Sequence, residues 1–359
     1  MSLKNGFYKG SISVILVLGM LMMPLSGCSE KAVDSSNGST EESTETIKLS
    51  FATYDPAQSG NTIYQQEWAD KIKEATNGKV EITIYPGGTL AAATDILDAV
   101  KTGACDMGWV FTSFYPGQFP LTDIATLPML GINSATQGTN MLWDLYENTD
   151  ELKKEYDDFQ MLMLYTNNPN IISTSDKPVQ SMSDLKGMKL RCPAGAATDM
   201  VTAWGGTPIL MGPGDMYQSI EKGVIEGCVF EYLGIGSYKL TEVLNNFTEM
   251  PINVGPFLVL MNKAKWDSLP EDVKTAISSV SNKETSLGAA KVFEDVAADV
   301  RKEIASNGGN LITVTEEAYN EFKKATVEYN SAWYGEHKTS EFDAEKYYEK
   351  ALEAIEKNK

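Results

Sequence analysis

Three short apolar runs of period two, separated by two stretches of helical spacing, occupy residues 47–111 and restrict the fold more than any other feature of the chain. Ile47, Leu49 and Phe51 share one face of an extended strand, Val80, Ile82 and Ile84 form the next, and residues 106–111 follow Gly103 as a third. Between them, residues 62–76 carry Ile63, Trp68, Ile72 and Ala75 at near-helical spacing and stop at Asn77-Gly78. Ile96, Leu97 and Val100 give a second helix face. A βαβαβ order with connections this short implies a parallel sheet with helices on its faces. The carboxyl ends of these strands carry Tyr54, Tyr85, Trp109 and Phe111, whose rings serve either a core or a ligand wall.

The pattern then repeats with a break. Residues 114–128, rich in Pro, Gly and aromatics and including Tyr115, read as a loop near a cleft; two helical pieces cover 135–156 and a strand 159–165. Asn167-Asn168-Pro169-Asn170 interrupts, and a new strand at 171–174 marks the first crossing into a second lobe. There a short helix at 198–204, a strand at 207–210, a helix at 213–222 and, from Cys228 to Tyr232, a strand-to-helix junction facing the cleft follow. Residues 253–261, with Phe257 near the middle, form a strand returning to the first lobe. A helix is expected to start at Ser268 as N-cap, with Pro270 in its first turn and Glu271 at the capping-box position, and to run to Asn307. Residues 271–307 in one helix would span roughly 55 Å, longer than one lobe is wide, with Gly288 the candidate bend or break.

Arg191 is one of only two arginines. It follows the strand-like run 188–190 and precedes Cys192-Pro193, which places its guanidinium at a strand's carboxyl edge, where open α/β sheets bind ligands. A planar guanidinium matches a carboxylate bidentately, as a lysine ammonium does not. The other arginine, Arg301, lies among Asp299, Lys302 and Glu303 and reads as a surface group.

The surrounding residues carry a family pattern. LKG-x-K-x-R-x-P at 185–193, Gly205-Gly206-Thr207-Pro208, Asp215-Met216-Tyr217 and GVIEG at 223–227, with DMGW at 106–109, YPGQFP at 115–120 and LPEDV at 269–273, resemble the solute-binding proteins of TRAP (tripartite ATP-independent periplasmic) transporters, the DctP-like family. The resemblance covers most of the chain after about residue 47. It implies a two-lobed periplasmic-binding-protein-like α/β fold, each lobe a mixed sheet flanked by helices, joined by a hinge and a long helix spanning both. Residues 47–168 and 254–285 would form the first lobe, 169–253 and 286–340 the second, and 341–359 a C-terminal helix. Many relatives have a Pro-Trp pair after Phe230, where this chain has Glu231-Tyr232.

The N-terminal residues fall outside that fold. Lys4 and Lys9 precede an apolar run from Ile12 to Leu25, too short for a stable span, which closes on Leu25-Ser26-Gly27-Cys28 and resembles a lipobox with Cys28 acylated. An ordinary signal peptide cleaved nearby is the alternative. Residues 29–46, polar and acidic, read as a flexible tether. The formal charge is −19 and becomes about −21 once Lys4 and Lys9 are removed, which argues against nucleic acid and against charge-driven membrane binding.

Catalysis finds little support; carboxylates are plentiful enough for a paired-acid hydrolase, but nothing in the sequence places two of them together. The single histidine, His337, lies in a polar C-terminal stretch, and no phosphate loop or dinucleotide fingerprint is present. No metal or cofactor is called for. Cys105, Cys192 and Cys228 lack CxxC spacing and read as buried thiols, with a Cys192–Cys228 bridge left open.

Together these readings describe a binding protein, not an enzyme, anchored by lipid outside the cytoplasm. Its lobes would close on a small organic acid and deliver it to TRAP permease membrane subunits. Arg191 is the expected carboxylate clamp, with Tyr54, Trp109, Phe111, Tyr115, Tyr217, Phe230, Tyr232 and Phe257 as the wall. One guanidinium favours a monocarboxylate with a hydrophobic or aromatic body. A C4-dicarboxylate, for which Lys177 would be the second cation, a sugar acid, or ferric iron held by tyrosinates are the alternatives.

Overall fold

The structure is a computed structural model and describes residues 46–359. The residues read as a leader, as the lipidated Cys28 and as a tether lie, through residue 45, outside the described residues. Two mixed sheets carry the fold. The first has the order β2-β1-β3-β10-β4, from β1 (Ile47–Ala52), β2 (Val80–Tyr85), β3 (Met107–Phe111), β4 (Phe159–Thr166) and β10 (Pro256–Asn262). The second has the order β11-β9-β5-β8-β6-β7, from β5 (Ile171–Thr174), β6 (Lys189–Cys192), β7 (Thr207–Leu210), β8 (Gly227–Phe230), β9 (Asn246–Thr248) and β11 (Asn310–Ile312).

The parallel reading of residues 47–111 holds: β1 pairs in parallel with β2 from Ile47↔Val80 and with β3 at Phe51↔Met107. The returning strand β10 inserts antiparallel between β3 and β4 and is buried along most of its length. Because β10 runs opposite to β3, its first residues meet the carboxyl end of β3, which puts Phe257 opposite Phe111. The two crossings between lobes bond to each other. Asn170 N–H donates to Asn253 O (2.8 Å), Ile252 N–H to Asn170 O (3.2 Å), and Gly255 N–H to the Asn167 side-chain oxygen (2.6 Å). A paired two-stranded hinge permits closure and resists twisting.

The long helix departs from expectation in two places. Ser268 does not start it. A short helix, Lys263–Asp267, capped by Asn262, comes first, and Ser268 ends it by donating its hydroxyl to Lys265 O (2.6 Å). The helix Glu271–Ser279 follows after Pro270, and the chain breaks at 280–282 before Asn282 caps the helix Lys283–Ser306. The carbonyl freed at the break, Val280 O, accepts the Trp68 indole N–H (3.1 Å). Gly288 is no bend; it makes room for Tyr64, whose hydroxyl would lie 2.3 Å from an added Cβ and donates to Thr285 O (2.7 Å).

The helix Lys283–Ser306 does cross both lobes. Ala289, Ala290 and Phe293 pack in the core under the first sheet, and Val300 and Ile304 in a core of the second. The crossover therefore comes after Phe293, later than residue 286. The C-terminal helix Ala344–Lys357 packs on the first lobe, where Tyr347 donates to Leu121 O and Gln137 to Ile355 O. Cys105, Cys192 and Cys228 are buried free thiols, so no Cys192–Cys228 bridge forms.

Candidate functional site

Strands of both lobes present their ends to a shared cavity. The first lobe supplies Tyr54 and Asp55 after β1, Trp109 and Phe111 from β3, and Phe257 from β10. The second supplies Arg191 from β6 and Phe230-Glu231 at the end of β8.

The aromatic wall is a ladder. Tyr54 stacks on Trp109 (centroids 4.6 Å), Trp109 on Phe257 (4.7 Å, 8° between planes) and Phe257 on Phe111 (4.8 Å). Register explains it: Trp109 and Phe111 are two apart on β3, Phe257 lies opposite Phe111 on the neighbouring strand, and so the rings share one face. Phe114 closes the ladder edge-on against Phe111 (5.0 Å).

Arg191 faces this wall from the second lobe. It lies within β6 rather than after it and is only 2% exposed. Its Nε donates to Met211 O (3.1 Å), and its guanidinium carbon sits 5.0 Å from the Phe230 ring centroid. Among the described residues no carboxylate pairs with it. Burial pulls its pKa down from the ordinary value, the direction expected for a cation without a counterion. A buried charge in this state is costly unless a ligand completes it.

Two buried acids share the cavity. Asp55 accepts Ser59 Oγ (2.9 Å) and Asn61 Nδ2 (3.1 Å) on one oxygen and the Tyr238 hydroxyl (3.1 Å) on the other, a bond that ties the two lobes. Burial raises its pKa, and the three donors oppose the rise. Glu231 caps the helix Tyr232–Ser237 by accepting the Leu233 and Gly234 amides (2.6 and 2.7 Å), and burial pushes it up to about 8.

Of the nine residues read as wall or clamp, Arg191, Tyr54, Trp109, Phe111, Phe230 and Phe257 line the cavity, and three are turned elsewhere. Tyr115 follows the tight turn Thr112–Phe114, which swings it into the first-lobe core. There its hydroxyl donates to Ala93 O (2.6 Å) and accepts Leu97 N–H. Tyr217 bonds Glu242 on the surface (3.0 Å). Tyr232 opens the helix capped by Glu231 and donates to Glu249 (2.7 Å), which also holds Arg301. Lys177 is exposed on a turn, its carbonyl accepting the Thr174 hydroxyl. Asp55 and Tyr238 escaped the sequence reading. A carboxylate directly after a strand's carboxyl end was a usable signal for Asp55; Tyr238 carried none.

Comparison with known proteins agrees with this architecture. The family model for bacterial extracellular solute-binding proteins, family 7, matches residues 51–336. A marine-metagenome TRAP solute-binding protein specific for aromatic acid ligands, solved with 3-hydroxybenzoate, is 26% identical with a TM-score of 0.82, covering 87% of this chain and 99% of that one. A TRAP periplasmic solute-binding protein from Desulfovibrio salexigens, solved as an open complex with the C-terminus of a symmetry mate in its ligand-binding site, is 28% identical with a TM-score of 0.76. It covers 87% of this chain and 96% of that one. The C4-dicarboxylate-binding periplasmic protein DctP of Rhodobacter capsulatus is 26% identical over 75% of this chain and 76% of its own length.

Proposed function

The chain belongs to the bacterial extracellular solute-binding proteins of family 7, the binding components of TRAP transporters, and from that premise we propose that it captures a small monocarboxylate with a hydrophobic or aromatic body. Members of this family are periplasmic transport components rather than enzymes. The observation that carries the ligand class is Arg191, among the described residues the only cation lining the cavity, with no carboxylate among them paired to it, facing a ladder of stacked rings. One carboxylate satisfies that fork. A second would find Asp55 and Glu231 rather than another cation. The aromatic-acid specificity of the marine relative supports the same reading.

Closure of the lobes about the paired hinge would remove water from the guanidinium. The resulting charge-assisted bonds are then worth about 1.5–3 kcal/mol net. The loaded form would pass its ligand to TRAP membrane subunits. Cys28 would carry the lipid that keeps the protein at the outer face of the cell membrane; the polar residues after it would act as the tether.

The test of ligand class is a thermal-unfolding panel of aryl, keto, hydroxy and dicarboxylic acids, with ferric ion included. Selective stabilisation by aryl or short apolar monocarboxylates is expected. Stabilisation by succinate or by iron and not by monoacids refutes the reading. Metabolic labelling with palmitate, lost in Cys28→Ala, checks the anchor.

A further inference from the structure

The carboxylate clamp accounts for one pole of the cavity. Arg191 and Glu231 reach it from the neighbouring parallel strands β6 and β8, and Asp55 reaches it from the first lobe. Among the described residues neither acid forms an ion pair with the guanidinium, so donor fork and carboxylates stand apart in one space. The Phe230 ring adjoins both poles. The Arg191 guanidinium carbon lies 5.0 Å from its centroid, while its edge and Glu231 Oε1 crowd the same point, 2.3 and 2.8 Å from a Cβ placed on Gly234.

The two acids differ in how far the protein itself occupies them. A carboxylate offers about four lone-pair positions. Asp55 has three donors, Ser59 and Asn61 on one oxygen and Tyr238 on the other. Glu231 has two, the Leu233 and Gly234 amides, one on each oxygen, so each oxygen keeps a free position in a side chain only 3% exposed. Capping does not explain the choice of residue. Ser, Thr, Asp and Asn cap a helix with a shorter side chain, and Glu is not among the preferred caps. A buried carboxylate with half of its capacity idle is costly unless a further donor completes it.

We propose that Glu231 is a specificity residue: it accepts a hydrogen bond from a hydroxyl or ammonium group on the body of the ligand whose carboxylate Arg191 holds. The cavity then selects a hydroxy- or amino-substituted monocarboxylic acid over the plain acid. This specificity element rests on the carboxylate reading of the cavity and narrows its ligand class. Discrimination is steep at such a site, because an acid lacking the donor leaves a buried acceptor stripped of water and unpaired, whereas a methyl group in the donor's place gains only burial.

The experiment is calorimetric titration of the full chain in detergent with acids matched in shape and differing in the donor. The pairs are 3- and 4-hydroxybenzoate against the methylbenzoates, mandelate against 2-phenylpropionate, and 3- and 4-(aminomethyl)benzoate against the ethylbenzoates. At least one donor-bearing acid should bind about 10- to 150-fold more tightly than its partner, the gain of a hydrogen bond to a charged group. A hydroxyl gain identifies a neutral donor and an aminomethyl gain a cation; either supports the assignment. Equal affinity within every pair overturns it and leaves carboxylate capture standing. Glu231→Ser keeps a favoured capping group and withdraws the carboxylate from the cavity, so the ratio within the favoured pair should fall below about threefold. Glu231→Asp, which keeps cap and charge on a shorter side chain, serves the same measurement if the serine variant does not fold. A cap without a ligand role shifts both members of a pair together, and an unchanged ratio in the folded variant overturns the role of Glu231. If no acid of the series binds, the capture reading itself fails and this element falls with it.

Discussion

Replacing Arg191 by Met separates a ligand clamp from a structural pillar, because the two roles predict opposite signs. The guanidinium is buried with one hydrogen bond, to Met211 O, and one aromatic contact, to Phe230, and among the described residues no carboxylate pairs with it. Its desolvation costs several kcal/mol. The charged hydrogen bond returns about 1.5–3 kcal/mol and the ring contact about 0.5–2 kcal/mol. A thioether of similar length avoids the first term and keeps the packing, so Arg191→Met should leave the empty protein as stable or more stable by about 1 kcal/mol. With an unfolding entropy of about 2.1 cal/mol/K per residue over roughly 310 residues, that is a rise in Tm of about 1.5 °C.

Ligand binding should move the other way. Loss of about 1.5–3 kcal/mol weakens Kd by roughly 10- to 150-fold. At a ligand concentration of about 100 times the original Kd, stabilisation falls from about 2.7 kcal/mol to about 0.4 kcal/mol for a hundredfold loss. The ligand-induced shift therefore drops from about 4 °C to under 1 °C. Differential scanning calorimetry with and without acid reads both numbers. A lower Tm in the empty variant together with an undiminished ligand shift would refute the clamp.

Three further outcomes are expected. Gly288→Ala should destabilise by about 1–3 kcal/mol in urea unfolding despite its better helix propensity, because its Cβ displaces the Tyr64 hydroxyl, and Tyr64→Phe should relieve part of the loss. Burial raises Asp123 to about 6 and Glu155 to about 7, so the folded state binds more protons than the unfolded one. That contribution is fully present below the ordinary carboxylate pKa and is lost as pH rises through about 7, so Tm should decline from pH 4.5 to 7.5, less steeply in Glu155→Gln. Cys105 and Cys228, pushed up to about 11 and about 12 by burial, should resist iodoacetamide until the protein unfolds, as read by mass spectrometry.

Much of this molecule follows from local pattern. The alternation at 47–51 and 80–84, with helical spacing between, specifies strands and crossover helices, and connection length makes them parallel; these are properties of adjacent residues. Arg191 was legible because a rare residue type stood at a strand end inside a run of spaced motifs. Three features were not. The break at 280–282 depends on Trp68, more than two hundred residues away, taking the carbonyl that the helix releases. The turning away of Tyr115, Tyr217 and Tyr232 depends on partners at Ala93, Glu242 and Glu249 that competed for their hydroxyls. Asp55 became a site residue only when the second lobe brought Tyr238 against it, closing a cavity around the one guanidinium. Sequence determined which residues stand at strand ends, because period and spacing are local. Tertiary structure alone decided which of them face one another, because burial and pairing are settled by whichever distant group arrives in the same space.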